Sequence, residues 1–170
     1  QSDLVDPSIT WVPTGISFEN YLTAFETLDF FKSIGNSFLM VIPTAIFQTA
    51  STAMIGYGLA RFDFPLKKMW IVLVVATFLL PVNITLIPRY VLYNQYGILN
   101  TVFPQYLPAL LGQGIKSTVF ILMYYMVFSS YPKAFDEAAA IDGANRFQKS
   151  VKITLPMIAP TITVFLLLNI

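Results

Sequence analysis

The chain has 170 residues, 56% of them apolar and 11% charged, with a net charge of +1, no Cys and no His. A soluble domain carries about a quarter charged residues, so an ordinary globular domain is excluded. The near-neutral charge offers nucleic acid no electrostatic footprint. The missing Cys and His remove any disulfide framework, thiolate chemistry and the commonest metal ligand and general base. No metal site, no cofactor and no catalytic residue is expected.

The charges that exist leave long gaps: 28 uncharged residues between Lys32 and Arg61 and 20 between Lys68 and Arg89. Crossing the hydrocarbon core takes roughly 20 predominantly apolar residues, so both gaps are long enough. The expected fold class is all-α, a polytopic bundle of transmembrane helices in the lipid bilayer.

In chain order, residues 1–32 carry five acidic residues against the single Lys32 and read as a water-exposed segment. A first span is predicted over about 33–60. It contains Pro43, Gly56 and Gly58, breakers tolerated where neighbouring helices satisfy the freed backbone. Gly56 and Gly58, near Ser51 and Ala53, also offer small surfaces for close packing. The charged turn 61–68 follows, then a second span over about 69–87 interrupted by Pro81 and Asn83. The Tyr-rich stretch 88–101 suits the headgroup level. Pro104, Pro108, Gly112 and Gly114 then mark a short interfacial or re-entrant element. A third span is predicted over about 115–130, with Lys116 snorkelling at the interface. Residues 132–156 are a polar loop, and a further span starts at 157–170, broken by Pro160.

The chain starts at Gln1 without a basic-then-apolar leader and ends at Ile170 within an apolar run, so both ends are expected to be cut. Seven of the ten basic residues fall in the 61–68 turn and the loop after the third span. The excess of Lys and Arg on the cytoplasmic side places loops 61–68 and 132–156 inside and residues 1–32 outside.

Local chemistry predicts helix, turn, helix across the second loop. Pro132 suits a first helical turn, and Asp136 and Glu137 complement the dipole there. Three consecutive alanines are strong helix formers. Gly143 is placed to end the helix in a left-handed conformation. Asn145 with Gln148 has capping-box spacing, Lys149 and Lys152 fall in the last turns of the second helix, and Pro156 is expected to bend the chain back into the membrane. From the residues alone two readings stand side by side. One is an ordinary amphipathic loop. The other is a narrow alanine face that seats in a groove of another protein, with Glu137 as charged anchor.

The ungapped pattern Glu137-Ala138-Ala139, Gly143 and Ile153-x-Leu155-Pro156 resembles the signature of permease subunits of binding-protein-dependent ABC importers. The order of Phe18-Glu19-Asn20-Tyr21, Asn36-Ser37, Gly58-Leu59-Ala60-Arg61-Phe62, Gly97-Ile98-Leu99-Asn100-Thr101 and Ile141-Asp142-Gly143-Ala144 resembles the carbohydrate-type permeases, close to the second subunit of maltose permeases. Ser150-Val151 depart from the family, where bulky aromatic residues are common. The resemblance implies a type I importer permease core in a bacterial or archaeal inner membrane. It implies a cytoplasmic ATP-binding subunit that holds the ATP, a second permease subunit in a heterodimer, and an extracytoplasmic solute-binding protein. Glu137, Ala138, Ala139, Asp142, Gly143, Ile153, Leu155 and Pro156 would then couple to the ATP-binding subunit, carrying no chemistry of their own.

The implied cargo is a sugar or oligosaccharide, with a non-sugar solute such as a peptide as the alternative. Asn83, Gln113, Tyr124 and Tyr125 are the candidates for lining the pathway; helix–helix hydrogen bonding and interfacial anchoring is the competing role for each. An ion-driven secondary transporter would place ionisable groups inside its spans, and the predicted spans hold no Asp, Glu or His. An integral-membrane enzyme lacks its His, Cys or paired carboxylates for the same reason.

Overall fold

A computed structural model of the chain describes residues 18–114, 116–132 and 134–170. Residues 1–17 of the expected external segment, Ile115 at the start of the expected third span and Lys133 of the basic loop lie outside the described residues. The chain forms two compact units, 1–39 and 40–170.

In the first unit, α1 (Glu19–Thr27) is exposed throughout, and Phe18, Tyr21, Leu22 and Phe25 recur at helical spacing along one side. Asp29, with φ +45°, turns the chain into α2 (Phe30–Arg61), and the Phe25 and Phe30 rings meet edge-on at 4.3 Å.

The second unit is built on the remainder of α2. Pro43 lies inside this helix without ending it. Lys67 closes the following turn by donating to the Phe62 carbonyl (3.0 Å) and pairing with Asp63 at 3.5 Å. Beyond it lie α3 (Lys67–Leu79) and α4 (Val82–Gln95). The expected second span, 69–87, is therefore not one helix: the two pieces are bent by 94° at Leu80–Pro81. Pro81 removes a backbone donor and holds Leu80 extended, at ψ 123°. The short element foreseen near Pro104 is α5 (Phe103–Leu110).

Helix α6 (Ser117–Ser130) has only 14 residues and is too short to cross alone, because Lys116 takes left-handed backbone immediately before it. Its inner face forms the core: Phe120, Tyr124 and Phe128 pack with Ile158 and Phe165 of α9 (Leu155–Asn169). Gly56 brings α2 against α6. A Cβ there would stand 2.5 Å from the Tyr124 Cβ and 3.0 Å from the Tyr125 amide nitrogen. No such closeness surrounds Gly58.

A buried polar stripe on α2, Gln48, Thr49, Ser51 and Thr52, ties the unit together. Ser51 donates to the Ala109 carbonyl of α5 (2.6 Å), and Asn169 donates to Thr49 (3.3 Å). Such cross-helix bonds take the place of the hydrophobic drive that lipid removes. Thr77 and Thr118 likewise join α3 to α6 at 3.0 Å.

After α7 (Ala134–Ile141) and α8 (Arg146–Lys149), the backbone passes through a π-turn, Ser150–Thr154, directly into α9. Two expectations are corrected here. Pro156 does not bend the chain, since it sits in the first turn of α9, and Pro160 does not break the last run. The π-turn absorbs the Pro156 ring, whose clash would fall on the carbonyl four residues back; the Leu155 N–H reaches the Ser150 carbonyl, five residues back. Ser150–Asn169 is thereby a continuous apolar stretch of 20 residues. It and Phe30–Arg61 are the two helices among the described residues long and apolar enough to cross a membrane, with the bent α3–α4 pair a third if it counts as one broken span.

Candidate functional site

The signature loop folds as its residues dictate. Helix α7 ends on Gly143 at φ +78°, with nothing within 4 Å of a Cβ at that position, so the demand for glycine is conformational. The Ala144 N–H then donates to the Ala139 carbonyl (2.9 Å), the six-to-one bond of a Schellman ending. One residue later the capping box closes in both directions: the Gln148 N–H donates to Asn145 Oδ1 at 2.8 Å and the Asn145 N–H to Gln148 Oε1 at 3.0 Å. Helix α8 runs without interruption through the π-turn, so the loop is mounted on the N-terminal end of a membrane-length helix.

Burial divides the signature into two halves. Glu137, Ala138, Asp142 and Gly143 are exposed. Ile141, one turn beyond Glu137 and Ala138 on the same side of α7, is 87% exposed. Its aliphatic side chain thus stands bare beside a carboxylate and an alanine on the same face. Ile141 falls within the segment from Glu137 to Gly143 that the resemblance implies as the coupling contact, but it is not singled out there as a contact. Its signal was its place three and four residues beyond Ala138 and Glu137, where a helix repeats its face.

The other half points inward. Ala139 is 5% exposed and does not share the outward face of α7. Ile153 lies in a small pocket with Arg61, Tyr131, Pro132, Phe135 and Met157. Leu155 lines an apolar groove of about 450 Å³ facing Ala50, Ala53, Met54 and Tyr57 of α2. Ile153, half-buried in that pocket, meets the bundle, while Leu155 at the rim of the groove and Pro156 remain exposed.

The four pathway candidates lie on three different segments. Asn83 is exposed in the first turn of α4, and Gln113 is exposed in the turn after α5. Tyr125 is half-buried on α6. Tyr124 is fully buried, its ring 4.8 Å from Phe165 and 6.1 Å from Phe128, within the core formed by α6 and α9. Among the described residues there is no cluster of three or more metal-binding side chains.

Comparison with known proteins matches residues 12–170 to a family described as the binding-protein-dependent transport system inner membrane component. The chain is 33% identical over 150 residues to an ABC transporter permease protein of Pyrococcus horikoshii, covering 87% of this chain and 53% of that one. It is 30% identical over 158 residues to the diacetylchitobiose uptake system permease protein NgcG of Streptomyces coelicolor, covering 93% and 51%. To the alpha-glucoside transport system permease protein AglG of Rhizobium meliloti it is 27% identical over 157 residues, covering 90% and 41%. The chain spans about half the length of the curated relatives it matches.

Proposed function

Since this chain belongs to the family of binding-protein-dependent transport system inner membrane components, a transport component and not an enzyme, we propose that it is part of the permease subunit of an ATP-binding-cassette importer for a sugar or oligosaccharide. The observation that carries the reading is the outward half of the loop. A helix ending at Gly143 presents Glu137, Ala138 and Ile141 together, one tight turn before α8, which continues through the π-turn into the membrane-length helix. In this reading that face docks on a cytoplasmic ATP-binding subunit, which binds and hydrolyses the ATP. Loops 61–68 and 132–156 lie on the cytoplasmic side, in keeping with their basic residues. A second permease subunit completes the pathway, and an external solute-binding protein delivers the cargo. The sugar assignment draws on relatives whose names specify diacetylchitobiose and alpha-glucosides.

The experiment is isolation of the full-length subunit from its host membrane by an affinity tag, followed by identification of the co-purifying chains and the ligand of the binding protein. An ATP-binding subunit and a sugar-loaded binding protein are expected. Glu137→Lys or Gly143→Pro should abolish uptake while leaving membrane insertion intact, because one reverses the charge of the anchor and the other cannot adopt φ +78°. Normal uptake by both variants at normal expression contradicts the docking role. A binding protein carrying a peptide contradicts the sugar assignment alone.

A further inference from the structure

The helix that carries the docking loop contains its own weak joint. The π-turn at Ser150–Thr154 replaces the tighter α-helical bonding, and Pro156 and Pro160 each remove one backbone donor just beyond it. A lever with such a joint would flex there instead of moving its far end. Packing does not stiffen it on the α2 side, where the apolar groove of about 450 Å³ separates it from α2. Val151 and Leu155 are each 43% exposed.

Two tyrosine hydroxyls bracket the joint. The Ser150 hydroxyl donates to Tyr57 Oη of α2 at 3.0 Å, across 93 residues of chain. The Tyr131 hydroxyl, at the end of α6, donates to the Met157 carbonyl at 2.9 Å. Tyr57 is held for this by edge-on contacts with Phe62 (5.7 Å) and Phe128 (5.1 Å), so its hydroxyl is fixed before the bond forms. Both bonds are partly buried, where a hydrogen bond is stronger than in water.

We propose that Tyr57–Ser150 and Tyr131–Met157 form a clamp that stiffens the π-turn, making Tyr57 and Tyr131 positioning residues through which displacement of the docking loop reaches α9 and the spans beside it. The proposal rests on the docking reading above. The short Ser150 hydroxyl reaches Tyr57 Oη from the first residue of the π-turn.

The test uses the assembled transporter, isolated through a tag on the full-length subunit and held in lipid nanodiscs. In a cysteine-free background an environment-sensitive bimane label is placed singly at Val151→Cys, in the joint, or Leu168→Cys, near the end of α9. The non-hydrolysable ATP analogue AMP-PNP is the probe. With the clamp intact, AMP-PNP shifts the emission of both labels. Tyr57→Phe keeps the Val151 response and lowers the Leu168 response about threefold or more, with the ATP-binding subunit still bound. A merely structural role would diminish both responses together. Ser150→Ala breaks the same bond with a smaller change and decides the matter if Tyr57→Phe fails to accumulate. A Leu168 response unaltered in Ser150→Ala, and in Tyr57→Phe combined with Tyr131→Phe, overturns the clamp. If AMP-PNP moves neither label in the unsubstituted complex although the ATP-binding subunit is bound, the docking reading fails and the clamp falls with it.

Discussion

Asn145 and Gln148 cap one another: each side-chain oxygen accepts the other's backbone N–H, at 2.8 and 3.0 Å. Four residues of α8 would not hold a helical start on propensity alone, so this reciprocal pair fixes where the second half of the loop begins. Asn145→Ala should destabilise that start by about 1 kcal/mol. The expected readout is faster amide hydrogen exchange over 145–149 in nanodiscs, with exchange in α6 unchanged; equal exchange in both proteins refutes the assignment.

Gly56 and Gly58 are two residues apart on α2 and make opposite predictions. At Gly56 a methyl group meets Tyr124 Cβ and the Tyr125 backbone, which cannot retreat without moving α6. Gly56→Ala should therefore cost about 1–3 kcal/mol through overpacking and lower the melting temperature of the complex in detergent. At Gly58 the space is open, so Gly58→Ala should leave the melting temperature unchanged or raise it slightly through helix propensity.

Ser51 is 5% exposed and donates to the Ala109 carbonyl at 2.6 Å, joining α2 to α5. Ser51→Ala removes that donor in a membrane interior. The expected loss is about 0.6 kcal/mol and no more than about 1.7 kcal/mol, measured as a shift in the thermal or denaturant midpoint. Ser51→Val, which also forces two extra carbons into the contact, should cost more.

Much of this architecture could be read in advance where the signal is local. Long uncharged runs mark α2 and the final helix, Gly143 announces the turn, and the Asn145–Gln148 spacing announces the cap. Proline was the unreliable sign. Pro81 separates α3 from α4, yet Pro43 and Pro160 stay inside helices, because neighbouring packing and not residue type decides whether a helix survives a missing donor. The π-turn has no local signature beyond Pro156. Tyr124 looked like a pathway residue because its hydroxyl is polar; its burial depends on Phe165, 41 positions away. The outward exposure of Ile141 and the inward seat of Ala139 required the helix to be placed on the bundle.

The most direct test of the docking account is photo-crosslinking from Ile141 in the assembled transporter. Benzoylphenylalanine at Ile141, irradiated in native membranes, is predicted to yield an adduct with the ATP-binding subunit, while the same group at Leu168 yields none. Absence of that adduct from Ile141, in a complex from which the ATP-binding subunit still co-purifies, would contradict the account.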